Sequence, residues 1–146
     1  MSDIERAKEI LSGGDYTCVL CREDVTFTDK AKGISPMLDF IGKSVDLRGF
    51  SAADRIVGKA AAILFVNAGV IEVYAEVMSR AGMSFLAAHG VKHSYGTLTE
   101  KIINRDQTDI CPMEKAVKEI KMTADIDEIC SGVELLMKKR SELRGA

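Results

Sequence analysis

An α/β fold of three layers, a mixed β-sheet with helices on both faces, is predicted by three observations on this sequence. The chain opens on a short segment of helical periodicity and then switches to two brief β-rich runs. From residue 36 it alternates helical with extended segments.

Taken in order, Ile4, Ala7, Ile10 and Leu11 recur at helical spacing over residues 3–12, and Gly13-Gly14 stops them. Residues 16–21 and 25–28 flank Arg22-Glu23-Asp24 and read as a hairpin. Pro36 takes the first-turn position that proline tolerates, ahead of Met37, Leu38, Phe40 and Ile41, and Gly42 ends that short helix. Residues 52–67 are expected to form the strongest helix, apolar on every side over residues 60–66 and ended by Gly69. A strand over residues 70–77 follows, and Ser79 caps a helix through residue 88, with Gly90 past its end. Residues 91–95 and 98–103 are extended, and Cys111-Pro112 opens a helix to residue 120. Asp125 starts a last amphipathic helix, carrying Ile126, Ile129, Cys130, Val133, Leu136 and Met137, that fades into Lys138-Lys139-Arg140. Residues 1–146 therefore read as one domain, with 121–146 as a C-terminal helical extension.

Composition narrows the function classes. With 146 residues, 47% of them hydrophobic, the chain carries enough apolar side chains for a core without metal or disulfide support. Twenty basic residues stand against 22 acidic ones, and the net charge of -2 supplies no field for nucleic acid or a membrane surface. No apolar run approaches the roughly 20 residues of a membrane span. The first residues lack the basic-then-apolar layout of a signal peptide, so a cytoplasmic protein is expected, with its four cysteines as free thiols. Cys18 and Cys21, as a C-x-x-C on a strand, fall on opposite faces. His89 ends a helix and His93 begins a strand, so the two do not share a helical face as metal ligands. No glycine-rich phosphate loop occurs, and neither metal nor cofactor is expected.

Two segments concentrate chemistry: residues 49–59, Gly-Phe-Ser-Ala-Ala-Asp-Arg-Ile-Val-Gly-Lys, and residues 104–114, Asn-Arg-Asp-Gln-Thr-Asp-Ile-Cys-Pro-Met-Glu. Each surrounds an expected helix start, where unpaired N–H groups and the helix dipole attract anions. Ser51 and Asp54 fit N-cap and N3 positions and read either as a capping box or as ligand-orienting groups. Arg55 and Lys59, four apart, would share a helical face and repel unless an anion lies between them, which makes them a candidate carboxylate or phosphate clamp. The plainer reading of Lys59 is a stem along apolar neighbours with its ammonium in water. Asn104 and Arg105 follow an apolar strand, where open α/β sheets place binding residues; otherwise they form a solvated turn. Cys111 at a helix start is a candidate nucleophile, with Asp54 or Lys59 as proton-transfer partner. Its plainer reading is a half-buried residue beside a proline turn. Glu114 reads as an N3 acid of its own helix.

The order of a leading helix, a hairpin, and then helix, strand, helix, strand resembles the cytidine deaminase-like superfamily. Ser51-Ala52-Ala53-Asp54-Arg55-Ile56-Val57-Gly58-Lys59-Ala60, Ile103-Asn104-Arg105 and Cys111-Pro112-Met113-Glu114 look like segments of a small prokaryotic family of unknown activity placed in that superfamily. The resemblance covers roughly residues 3–120 and implies the cytidine deaminase-like fold. Working zinc deaminases need a His or Cys with a Glu two residues later, then Pro-Cys-x-x-Cys on the following helix. Neither pattern is present, so zinc-dependent deamination is not expected.

The sequence thus predicts a zinc-independent, deaminase-like domain binding a small anionic or nucleotide-like metabolite between segments 51–59 and 104–114. In it Arg55, Lys59 and Arg105 hold the anion, Ser51, Asp54 and Asn104 line or orient it, and Cys111 lies at the edge. An enzyme with Cys111 as nucleophile and a non-catalytic, homodimeric interaction module are the alternatives.

Overall fold

The computed structural model describes residues 1–103 and 110–145. Helix α1 (Asp3–Ser12) starts at Ser2, whose hydroxyl accepts from Glu5 N, and buries Ala7 and Leu11. Strands β1 (Cys18–Arg22) and β2 (Val25–Asp29) form the expected hairpin, turning at Glu23 with φ of 54°. Helix α2 (Ser35–Gly42) carries Pro36 in its first turn.

Residues 51–57 differ from expectation: they form strand β3 (Ser51–Val57), and helix α3 begins only at Lys59 (Lys59–Ala68). The reason lies in the layers. Ala52 and Ala53 are fully buried on opposite faces of β3, Ala52 against the main core and Ala53 against α1. A strand buried on both faces loses the period of two and reads like the start of a buried helix. The capping box assigned to Ser51 and Asp54 therefore does not exist.

Strand β4 (Glu72–Ser79), helix α4 (Arg80–Ala88), strand β5 (Lys92–Thr99), the short helix α5 (Pro112–Ala116) and helix α6 (Ile126–Gly145) complete the chain. Ser79 caps α4 as expected, accepting from Gly82 N at 3.0 Å, and Gly69 ends α3 at a φ of 80°. The extended segment expected over 98–103 divides between the end of β5 and an isolated bridge, Ile103 to Ile110. Helix α5 stops four residues short of Ile120.

The sheet runs β2-β1-β3-β4-β5. The hairpin is antiparallel and β1 pairs antiparallel with β3, whereas β3, β4 and β5 are parallel, so the sheet is mixed. Helix α1 covers one face with Val19, Cys21 and Ala53. On the other face Cys18, Leu20, Ala52 and Val73 meet α2, α3, α4 and α6. Segment 121–146, expected as an extension, is packed into this core through Ile129, Val133 and Leu136, with Gly132 lying over Ile63. Arg140 ties α6 to α2 through Asp39 Oδ1 at 2.8 Å. Among the described residues no helix is long and apolar enough to cross a membrane.

Candidate functional site

The carboxyl ends of β3 and β4 carry the first turns of α3 and α4, and a cleft of about 230 Å³ opens there, lined by Lys59, Ser79, Glu100, Lys101, Glu114 and Lys118 among others. Open α/β sheets bind ligands at this end of their strands. Helix α3 begins without a side-chain cap of its own, because Gly58 occupies the N-cap position. Its first N–H groups are satisfied from 55 residues away: Glu114 Oε1 accepts from Lys59 N and Oε2 from Ala60 N, both at 2.8 Å. Two oxygens of one carboxylate thus sit on the positive end of a ten-residue helix.

Gly58 makes the seat. A Cβ there would collide with Glu114 Oε1 and lie 2.7 Å from its Cδ, while the backbone angle of -106° suits any residue. Only room for the carboxylate and Ile102 requires glycine. Gly82 lets the start of α4 pack directly on this turn, since a Cβ there would stand 2.9 Å from the carbonyl carbon of Gly58.

Lys59 is 7% exposed, and its ammonium donates to the carbonyls of Lys118, at 3.3 Å, and Ile120. Burial pulls its pKa down from the ordinary lysine value, opposed by the charges of Glu114 and Glu119. Burial likewise raises the Glu114 pKa, against the Ala60 and Lys59 N–H groups and the Lys59 charge. Lys59 and Glu114 together fasten residues 114–120 to the start of α3. Ser79, 1% exposed, adds a hydroxyl to the wall.

The structure places Arg55, Ser51 and Asp54 away from this cleft. Arg55 and Lys59 do not share a helical face, because Arg55 lies in β3 and its guanidinium turns toward α1. There it donates to the carbonyls of Leu11, Gly14 and Tyr16 and pairs with Glu76 at 2.7 Å. Ser51 stands at the opposite end of β3, roughly 20 Å away at ~3.3 Å per residue. Asp54 is buried mid-strand beside Cys18 and Ala75. Burial raises its pKa from 3.8 to about 7 against the pull of the Arg55 and Ile56 N–H groups and the Arg55 charge. Cys111 precedes α5 with a half-buried thiol that makes no capping bond. Asn104 and Arg105 lie outside the described residues. Sequence reasoning missed the role of Glu114, which caps α3 and not its own helix. The available signal was Gly58, a helix start with no side chain to cap it.

His89 and His93 act apart, His89 Nε2 on the Met122 carbonyl and His93 Nδ1 on that of Val91, each at 3.0 Å. Among the described residues no group of three or more His, Cys, Asp or Glu side chains gathers as metal ligands.

The profile of a family described as a domain of unknown function, DUF1893, matches residues 6–142. A crystal structure of a DUF1893 family protein from Thermotoga maritima is similar over 95% of this chain and 91% of that chain, with a TM-score of 0.80 at 24% identity. No curated protein matches the sequence.

Proposed function

This chain belongs to the DUF1893 family, and from that membership we propose that it is a single, zinc-independent, cytidine deaminase-like domain that binds a small anionic metabolite at the start of α3. The reading of the fold rests on the alternation of helices and strands that follows the hairpin. The reading of the site rests on one observation: the seat on Lys59 N and Ala60 N, cleared by Gly58, already accommodates a carboxylate. A ligand carboxylate or phosphate fits the same donors, takes the place of Glu114 and gains the Lys59 ammonium as its counter-charge. Burial disfavours the charged form of both side chains, lowering the Lys59 pKa and raising that of Glu114.

This cleft differs from the one the sequence suggested. Lys59 stays in the proposed site, Glu114 and Ser79 join it, and Arg55 leaves it.

A second reading, in which Lys59 and Glu114 are purely a structural fastening, is favoured by the complete pairing of both groups. Calorimetric titration with cytidine monophosphate and with orthophosphate separates the two. Binding is expected for the native protein, at least tenfold tighter for Glu114→Gln, which weakens the resident occupant, and abolished by Lys59→Met. Heat of binding absent from both the native protein and Glu114→Gln would leave the fastening alone.

A further inference from the structure

Among the described residues β5 has a neighbour on one side only, so one row of its backbone N–H and C=O groups faces outward over eight residues. Natural sheets blunt such an edge with proline, inward charges or brevity. Strand β5 uses none of these: it reads Lys-His-Ser-Tyr-Gly-Thr-Leu-Thr, its one full charge is at its first residue, and Ser94, Tyr95, Gly96 and Thr97 are exposed in succession. The opposite edge, β2, is five residues long. Tyr95, 40% exposed, leaves a large ring at this border of the sheet for a partner to cover.

We propose that β5 pairs antiparallel with β5 of a second copy of this chain, joining two five-stranded sheets into one of ten. Outward-facing backbone groups alternate along a strand, so residues directly opposite each other share parity, and the two-fold axis passes through a residue. An axis through Gly96 sets Lys92 of each copy opposite Glu100 of the other, once at each end of the ribbon. An axis through Tyr95 would set Lys92 against Leu98, and one through Thr97 against Ile102. Only the Gly96 register matches charges. Both side chains are exposed, and each already has a partner within the chain, Lys92 with Glu72 at 4.0 Å and Glu100 with Arg80, which the contact across the axis would share. Opposite charges facing each other across an antiparallel pair stabilise it, and like charges weaken it. The ribbon also pairs Tyr95 with Thr97 twice, an aromatic with a β-branched residue.

Sedimentation across a concentration series tests this on the full chain. The native protein is expected to approach twice 15.9 kDa as concentration rises. Lys92→Glu, a substitution at an exposed position, is expected to raise the dissociation constant about tenfold, two like-charge pairs together being worth ~1.4 kcal/mol. The exchange Lys92→Glu with Glu100→Lys restores opposite charges across the axis and is expected to return the constant toward the native value. A mass of 15.9 kDa at every concentration would overturn the proposal. A dimer indifferent to Lys92→Glu, or one that the exchange fails to restore, would overturn it equally.

Discussion

Asp54→Asn is expected to stabilise the protein above neutral pH and to remove the loss of stability that Asp54 contributes as pH rises from about 4 to 7. Asp54 is 7% exposed, and its carboxyl titrates near 7 in the folded chain against 3.8 in the open one. An acid whose folded pKa is raised binds its proton more tightly when folded. Its contribution is therefore most favourable below pH 4 and is lost as pH rises through the folded value. The difference corresponds to about 4 kcal/mol at 1.36 kcal/mol per pH unit. Asparagine keeps the shape and an acceptor for the Arg55 and Ile56 N–H groups without a charge to bury. Cys18, its cross-strand neighbour, is pushed well above its ordinary thiol range by burial and then by the charges of Asp54 and Asp29. It stays a neutral thiol throughout that window and does not mask the effect. Urea unfolding of both proteins at pH 5 and pH 8 measures this: the gap between variant and native protein should widen at pH 8. An equal gap at both values would mean that Asp54 is ionised and well solvated in the folded chain.

Glu114→Ala should cost about 3 kcal/mol, because it leaves the Lys59 and Ala60 N–H groups without their charged acceptor at the buried start of α3. Gly58→Ala should cost a similar amount by a different route, its new Cβ driving the Glu114 carboxylate out of the same seat. Two substitutions that break one interaction do not add. Gly58→Ala placed on Glu114→Ala should cost clearly less than on the native chain, keeping only the crowding of the Ile102 side chain. Denaturant midpoints of the four proteins complete the cycle. Additive costs would show that Gly58 serves the backbone and not the carboxylate.

The parts legible in the sequence were those whose cause is local. The Ser79 cap, the Gly69 stop, the Pro36 start and the hairpin about Glu23-Asp24 each rest on residues within a turn of one another, and each appears where expected. Strand β3 was not legible, because the small apolar residues that fit it between two layers of helices are also good helix formers. The partners of Arg55 were hidden for a related reason. Its three carbonyls belong to residues 11–16, and only the packing of α1 on β3 brings them near. Lys59 was singled out as half of an anion clamp with Arg55, or else as a stem with its ammonium in water; its ammonium is instead buried on the backbone carbonyls of residues 118 and 120, which no local pattern links to it. Glu114 looked like a cap for its own helix. No local pattern reveals that it caps another helix 55 residues earlier in the chain.

In the free protein Glu114 fills the proposed anion seat at the start of α3. The amide resonances of Lys59 and Ala60, followed during a titration with cytidine monophosphate, test that seat most directly, because those two N–H groups exchange one acceptor for another. Saturable shifts are expected at both amides, reached at lower concentration in Glu114→Gln. Two amides that stay fixed in both proteins up to the solubility of the nucleotide would contradict anion binding at this seat.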